Sequence, residues 1–382
     1  MTAAIAPPAI HLDTIDLVRI SLPLVRPFTT SFGRQTAREA LLVRVSSDGV
    51  HGWGEVVTGA APLYSEEFTD AAELVLRDHL VPTLLAPRSE VDAAAVAGLL
   101  GHFHGQHMAK AGLELAVLDA QLRRADTSLA DHLGAVRDRV PTGVSVGIPD
   151  GGIDELVEQV AAYLDEGYLR VKAKIQPGFD VEPMQRLRRE FGPRLALQVD
   201  ANAAYDPDDA DHVRALDGLD ELDLVMIEQP FGVERLRAHA RHSARWRTPI
   251  CLDESIHDAR AARDAVETGA AGIVNIKLGR VGGIHEAVRV RDVCRTRGIP
   301  VWCGGMLETG VGRAANVALA AIEGFAFPGD LSASERYFTR DLTDPFVLDD
   351  GHIAVPTGPG IGRAPHDDLI AAAKVTAVTL PG

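Results

Sequence analysis

Cysteine is nearly missing from this 382-residue chain: Cys251, Cys294 and Cys303 are the only three, an odd number with no C-x-x-C pair. That excludes a disulfide framework and a cysteine-rich zinc site, and leaves buried thiols as the plain reading. Basic residues are outnumbered, 38 Lys and Arg against 54 Asp and Glu, for a formal charge of −16. So acidic a surface argues against nucleic acid or an anionic membrane as partner and favours small molecules. No run stays apolar for the roughly 20 residues that a membrane span needs. The opening Met1-Thr-Ala-Ala-Ile-Ala-Pro-Pro8 lacks the basic start and apolar stretch of a leader, so a cytoplasmic protein is expected. Low-complexity tracts and long flexible linkers are missing too. With 46% hydrophobic residues, the chain can bury one large core and a smaller one.

What is present changes character along the chain. The first third mixes a strand at Ala40-Leu-Leu-Val-Arg-Val45, a turn at Ser47-Asp48-Gly49, the segment Gly52-Trp-Gly-Glu55, and helical steps through Ala71, Leu74, Val75 and Leu115, Leu118, Leu122. From about Thr142, short buried strands alternate with helices: Gly143–Ile148, Leu169–Ile175, Ala196–Asp200, Leu224–Glu228, Ile250–Asp253, Gly272–Lys277 and Pro300–Cys303. Between the first two, Ile153, Leu156, Val157, Val160, Ala161 and Leu164 make one helical stripe that Gly167 ends. Lys174, Asp200, Glu228, Asp253, Lys277 and Cys303 follow at intervals of 26, 28, 25, 24 and 26, each at or near a strand end. Such a repeat suits an α/β barrel, whose strands converge on one mouth; a doubly wound open sheet is the second choice. After Asp330 the rhythm stops, and a turn-rich tail through Asp344–Gly351 and Pro356–Gly362 is expected to return to the first unit. The expected organisation is a capping unit over 1–135, a barrel over 136–330 and a returning segment over 331–382.

Three of those strand ends are carboxylates, Asp200, Glu228 and Asp253, each behind an apolar run. One such acid alone reads equally as an Arg partner or a helix cap. Three at consecutive strand ends would repel one another unless a cation intervened, and oxygen ligands without His or Cys favour Mg²⁺, with Mn²⁺ as the alternative. Lys172 and Lys174 share one strand face, and Lys277 brings a third ammonium to the mouth. The like charge of a neighbouring lysine and of the metal is expected to lower lysine pKa values there and supply a neutral amine as base, while Lys172 also reads as a plain ion-pair partner. A metal facing two lysines suits removal of the proton beside a carboxylate, because the resulting enediolate needs a counter-charge and has two faces.

Through Lys172-Ala-Lys174, Asp200-Ala-Asn202, Glu228-Gln-Pro230, Asp253-Glu254-Ser255 and Lys277, the chain resembles the muconate-lactonising-enzyme branch of the enolase superfamily, over roughly residues 15–365. More narrowly, Gly52-Trp-Gly-Glu55, Pro62–Glu67, Pro249–Ser255, Asn275-Ile-Lys277 with Gly279–Gly283, and Trp302–Met306 with Glu308-Thr-Gly310 resemble the N-succinylamino acid racemase and o-succinylbenzoate synthase group. The resemblance implies an α+β capping domain on a (β/α)₇β barrel, Mg²⁺ on Asp200, Glu228 and Asp253, and Lys174 and Lys277 as acid and base. It also implies Lys172, Asn202 and Glu254 as supporting groups and a mobile loop Pro27–Gly33 closing over substrate. Phe32, Tyr64, Ser145, Gly304 and Met306 are the implied substrate contacts, and a homo-oligomer is expected. The activity implied is racemisation of N-acylamino acids or dehydration to o-succinylbenzoate in menaquinone biosynthesis, with dipeptide epimerases and cycloisomerases as the alternatives.

Other signals carry less. Gly310-Val-Gly312-Arg-Ala-Ala315 is a loose dinucleotide-binding match, with Asp330 where a ribose acid would stand, but it falls inside the barrel repeat. His102, His104 and His107 read as solvated residues at the start of a helix, and Trp53 and Trp302 as core as readily as pocket wall.

Overall fold

The computed structural model describes residues 7–86 and 90–382, so the opening segment Met1–Ala6 lies outside the described residues. Two sheets carry the architecture. The first is antiparallel, in the order β13-β1-β2-β3, from β1 (Thr14–Thr30), β2 (Gly33–Ser47), β3 (Val50–Val56) and β13 (Lys374–Pro381). Thr14 pairs with Pro381 and Ile20 with Lys374, so the last strand of the chain lies beside the first. A small antiparallel pair, β4 (Arg139–Pro141) with β12 (His352–Ala354), ties the tail to the foot of the barrel.

Across one face of the first sheet lies the helix His107–Arg124, almost wholly buried from Met108 to Leu122. The Gly52-Trp-Gly-Glu55 motif explains how it gets so close. A Cβ at Gly52 would strike the carbonyl of Ala116, and one at Gly54 that of Gly112, so only glycine lets the helix backbone rest on β3.

The second sheet is parallel and runs in chain order: β5 (Val144–Val146), β6 (Val171–Lys174), β7 (Leu197–Asp200), β8 (Ile227–Glu228), β9 (Ile250–Leu252), β10 (Ile273–Ile276) and β11 (Val301–Cys303). All seven expected strands are present, each trimmed by a residue or more. An open sheet would leave β5 and β11 as free edges. Instead the segment 325–330 bridges them: Ala326 N donates to Val301 O, Asp330 N to Cys303 O, and Gly143 N to Gly329 O. That segment takes the eighth position and closes a barrel, which sets aside the open-sheet alternative. The helix Gly152–Glu166 ends at Gly167 with φ of 100°, the left-handed cap that the sequence pattern anticipates. No described helix is long and apolar enough to cross a membrane.

Candidate active site

Parallel register brings the acids together: Asp200 pairs with Glu228 at the ends of β7 and β8, and Glu228 with Cys251, two residues before Asp253. All three side chains are buried. Polar neighbours orient Glu228, with Gln198 donating to Oε2 at 2.7 Å and Asn275 to Oε1 at 2.7 Å. Burial, with Asp200 and Asp253 beside it, pushes Glu228 well above the usual carboxylate range.

Cationic side chains occupy the oxygens. Lys174 Nζ donates to Asp200 Oδ2 at 2.6 Å and Asn202 Oδ1 at 2.7 Å, and Asn202 donates in turn to Glu254 at 2.8 Å. Lys172 Nζ lies 3.1 Å from both Asp200 and Glu228 and 2.6 Å from Asp330. On the far side Lys277 Nζ is 2.7 Å from Asp253 Oδ2, at an angle that makes no hydrogen bond, and 3.2 Å from the Tyr64 hydroxyl. Arg280 pairs with Asp253 as well, so the simple reading of a strand-end acid as an arginine partner also holds there.

The expected depression of lysine pKa values counts the charge of a metal beside the ammonium groups; among the protein's own groups the balance runs the other way. Burial is the largest influence on Lys172 and Lys277 and does pull them down, but the facing carboxylates outweigh it and raise both. Asp200 is correspondingly held far below the ordinary carboxylate range by Lys174 and Lys172, against burial, the largest single influence.

Could these residues hold a divalent cation? The donors are hard oxygens on adjacent strand ends, and one of them, Asp253 Oδ2, is buried without a hydrogen bond. Among the described residues no three His, Cys, Asp or Glu side chains close on one point, and the acids are instead paired with Lys172, Lys174, Lys277 and Arg280. The chemistry of the donor set fits the ion.

Above the acids is a cavity of about 350 Å³ lined by Lys172, Lys174, Asn202 and Lys277, and by Phe32, Tyr64, Ser145 and Met306 of the expected substrate contacts. The Ser145 hydroxyl is buried there without a partner. Gly304 departs from expectation: its N–H is tied to Ile276 O and its Cα faces the Asn275 amide, so Gly305 reaches the cavity instead. Glu254 lies outside this wall, in an adjoining cavity beside Arg280 and His257. Pro27–Gly33 is no irregular loop but the tip of the β1–β2 hairpin, with Thr30 paired to Gly33, docked on the barrel through Ser31 Oγ to Ala201 O at 3.1 Å.

Sequence reasoning missed Arg280, and it named Asp330 only for a ribose. It also left Glu55 without a role. Glu55 accepts from Thr309 N, Thr309 Oγ1 and Gly312 N at 3.1, 2.7 and 3.1 Å, so a carboxylate of the capping sheet occupies the start of the Gly310–Ala320 helix, where the dinucleotide motif had been weighed. His102 and His104 are exposed, but His107 is half-buried against His257 rather than solvated, and of the two readings of Trp302 the core one holds.

Comparison with known proteins agrees with this geometry. Residues 14–134 match the mandelate racemase / muconate lactonizing enzyme N-terminal domain, and residues 155–369 the enolase C-terminal domain-like family. An N-succinylamino acid racemase from Amycolatopsis sp is 56% identical over 94% of this chain and 96% of its own length. An o-succinylbenzoate synthase from Geobacillus kaustophilus is 44% identical over 93% of each. The crystal structure of an enolase-superfamily member from Listeria innocua superposes with a TM-score of 0.91 at 38% identity, over 97% of this chain and 99% of that one. With two domain matches in sequence order and relatives aligned nearly end to end, the chain belongs to the mandelate racemase / muconate lactonizing enzyme family of the enolase superfamily.

Proposed function

We propose that this enzyme uses Lys174 and Lys277 to move the proton beside a carboxylate, racemising N-succinylamino acids, dehydrating a substrate to o-succinylbenzoate, or both. One observation carries the reading. Lys174 on β6 and Lys277 after β10 stand at the second and sixth of eight barrel positions, half a turn apart, and both line the same cavity. A planar intermediate between them presents one face to each.

In racemisation one lysine, as the amine, takes the α-proton from its side; the other, as the ammonium, returns a proton from the opposite side. In the dehydration one lysine, as the amine, removes the α-proton and then, as the ammonium, protonates the hydroxyl, whose C–O bond breaks on that face to release water. Asp200, Glu228 and Asp253 would hold Mg²⁺, or Mn²⁺ in its place, which supplies positive charge against the enediolate oxygens. Asn202 fixes Lys174, and Tyr64 fixes Lys277. Phe32 and Met306 close an apolar wall suited to the substrate's side chain, and the Ser145 hydroxyl is free to donate. Action on small carboxylates belongs to the same reading, supported by the names of the relatives, and a cytoplasmic homo-oligomer is part of the proposal.

The test is α-proton exchange in D₂O with Mg²⁺, followed by NMR and optical rotation over single-enantiomer N-succinylamino acids. Exchange with loss of rotation is expected. No exchange on any member of the panel would leave dehydration to o-succinylbenzoate as the activity, tested next on its precursor; exchange on dipeptides instead would move the assignment to an epimerase, and no turnover of either substrate class to a cycloisomerase.

A further inference from the structure

We infer that Asp330 sets the affinity of the three carboxylates for a divalent cation by holding the Lys172 ammonium off two of them. This rests on the metal reading above and assigns a positioning residue to it. Lys172 Nζ contacts the Oδ2 of Asp200 and the Oε2 of Glu228, oxygens that a bound cation would also claim, both at 3.1 Å. Its shortest contact, 2.6 Å, is to Asp330 Oδ2. The barrel order decides what that means. Asp200 and Glu228 lie on β7 and β8, one and two positions beyond β6, whereas Asp330 ends the closing segment two positions before it. Any shift of the ammonium towards Asp330 is therefore a shift away from the other two acids.

Asp330 is built to stay where it is. Its Oδ1 accepts from Arg170 Nη2 at 2.7 Å, and Arg170 is pinned to Pro328 O and Gln198 Oε1, both at 2.9 Å. The indole of Trp302 lies 5.1 Å from Lys172 Nζ and 4.8 Å from the Arg170 guanidinium, so the retreating ammonium meets an aromatic face rather than bare hydrocarbon. Remove the Asp330 charge and Lys172 keeps only Asp200 and Glu228 as partners, in direct competition with a cation.

Mn²⁺ binding without substrate, read by electron paramagnetic resonance, tests this apart from turnover, with circular dichroism confirming the fold. Asp330→Asn is expected to raise the Mn²⁺ Kd about tenfold or more, the scale on which groups orienting metal ligands act. In a double-mutant cycle, Lys172→Met is expected to tighten Mn²⁺ binding and to cancel the effect of Asp330→Asn. Equal affinity in wild type and Asp330→Asn, or no rescue in the double variant, overturns the inference alone. Should Asp330→Asn not fold, the comparison of wild type with Lys172→Met decides, and unchanged or weaker binding in Lys172→Met overturns it. A wild type that takes up no Mn²⁺ overturns the metal reading itself.

Discussion

The two lysine walls of the cavity are made differently. Lys174 is held by Asp200 and Asn202, both from the neighbouring barrel strand and the turn after it. Lys277 stands beside Asp253 from the barrel, but its other partner is Tyr64, brought by the capping unit, with the ammonium 4.4 Å over the phenol ring. Anything that preserves the barrel preserves the first wall, whereas the second also needs the cap in place. Symmetric chemistry thus rests on asymmetric support.

The largest effects come from removing the walls themselves. Lys174→Ala and Lys277→Ala are each expected to cut racemisation by about 10²–10⁴, the usual worth of a positioned acid or base, while each leaves hydrogen exchange of one enantiomer only. Exchange of both enantiomers by either variant, followed by NMR in D₂O, would break the comparison. Next, Tyr64→Phe separates the walls. It is expected to slow the exchange that survives in Lys174→Ala about tenfold and to change that in Lys277→Ala by less than about twofold. Equal slowing in both backgrounds would mean that the cap supports the two lysines alike.

Smaller is the effect of Phe32→Ala at the hairpin tip. Losing a partly buried phenyl is expected to raise KM several-fold, about 1–2 kcal/mol of apolar contact, with thermal stability nearly unchanged. A kcat loss with constant KM would give the hairpin a part in the chemistry instead. Smallest is a pH effect at the joint between cap and barrel. Burial pushes Glu55 up to about 7 from 4.5, so between those values the folded protein binds more protons than the unfolded chain. Stability is expected to fall as pH rises through that window, and the Tm of wild type relative to Glu55→Gln should decline with it. A difference in Tm that rises from pH 4.5 to 7 would reverse the sign.

The barrel and its acids were legible because the seven strands are short, largely apolar runs and five of them, β6 to β10, have a charged residue at or just past the end, a pattern that sequence order alone displays. Asp330 was not, since the closing segment Phe325-Ala-Phe-Pro-Gly-Asp330 has no strand-like run, and its acid draws meaning only from Lys172 and Arg170 across the barrel. Arg280 sits one helical turn past Lys277, where nothing in the sequence says that its guanidinium turns back to Asp253. The resemblance implied a mobile loop at Pro27–Gly33; the structure adds that this segment pairs across strands and that Phe28, Thr30, Phe32 and Gly33 line the cavity.

The pairing of Thr14 with Pro381 carries a consequence for the order of events during synthesis. The outer strand of the capping sheet emerges only after every barrel strand has been made. Until then β1 presents an unpaired edge, and the cap that carries Tyr64 is finished last. A nascent chain can thus complete its acids and Lys174 early, but the Lys277 wall waits for the tail, and a chain arrested before β13 exposes to its neighbours the edge of β1 from Thr14 to Ile20.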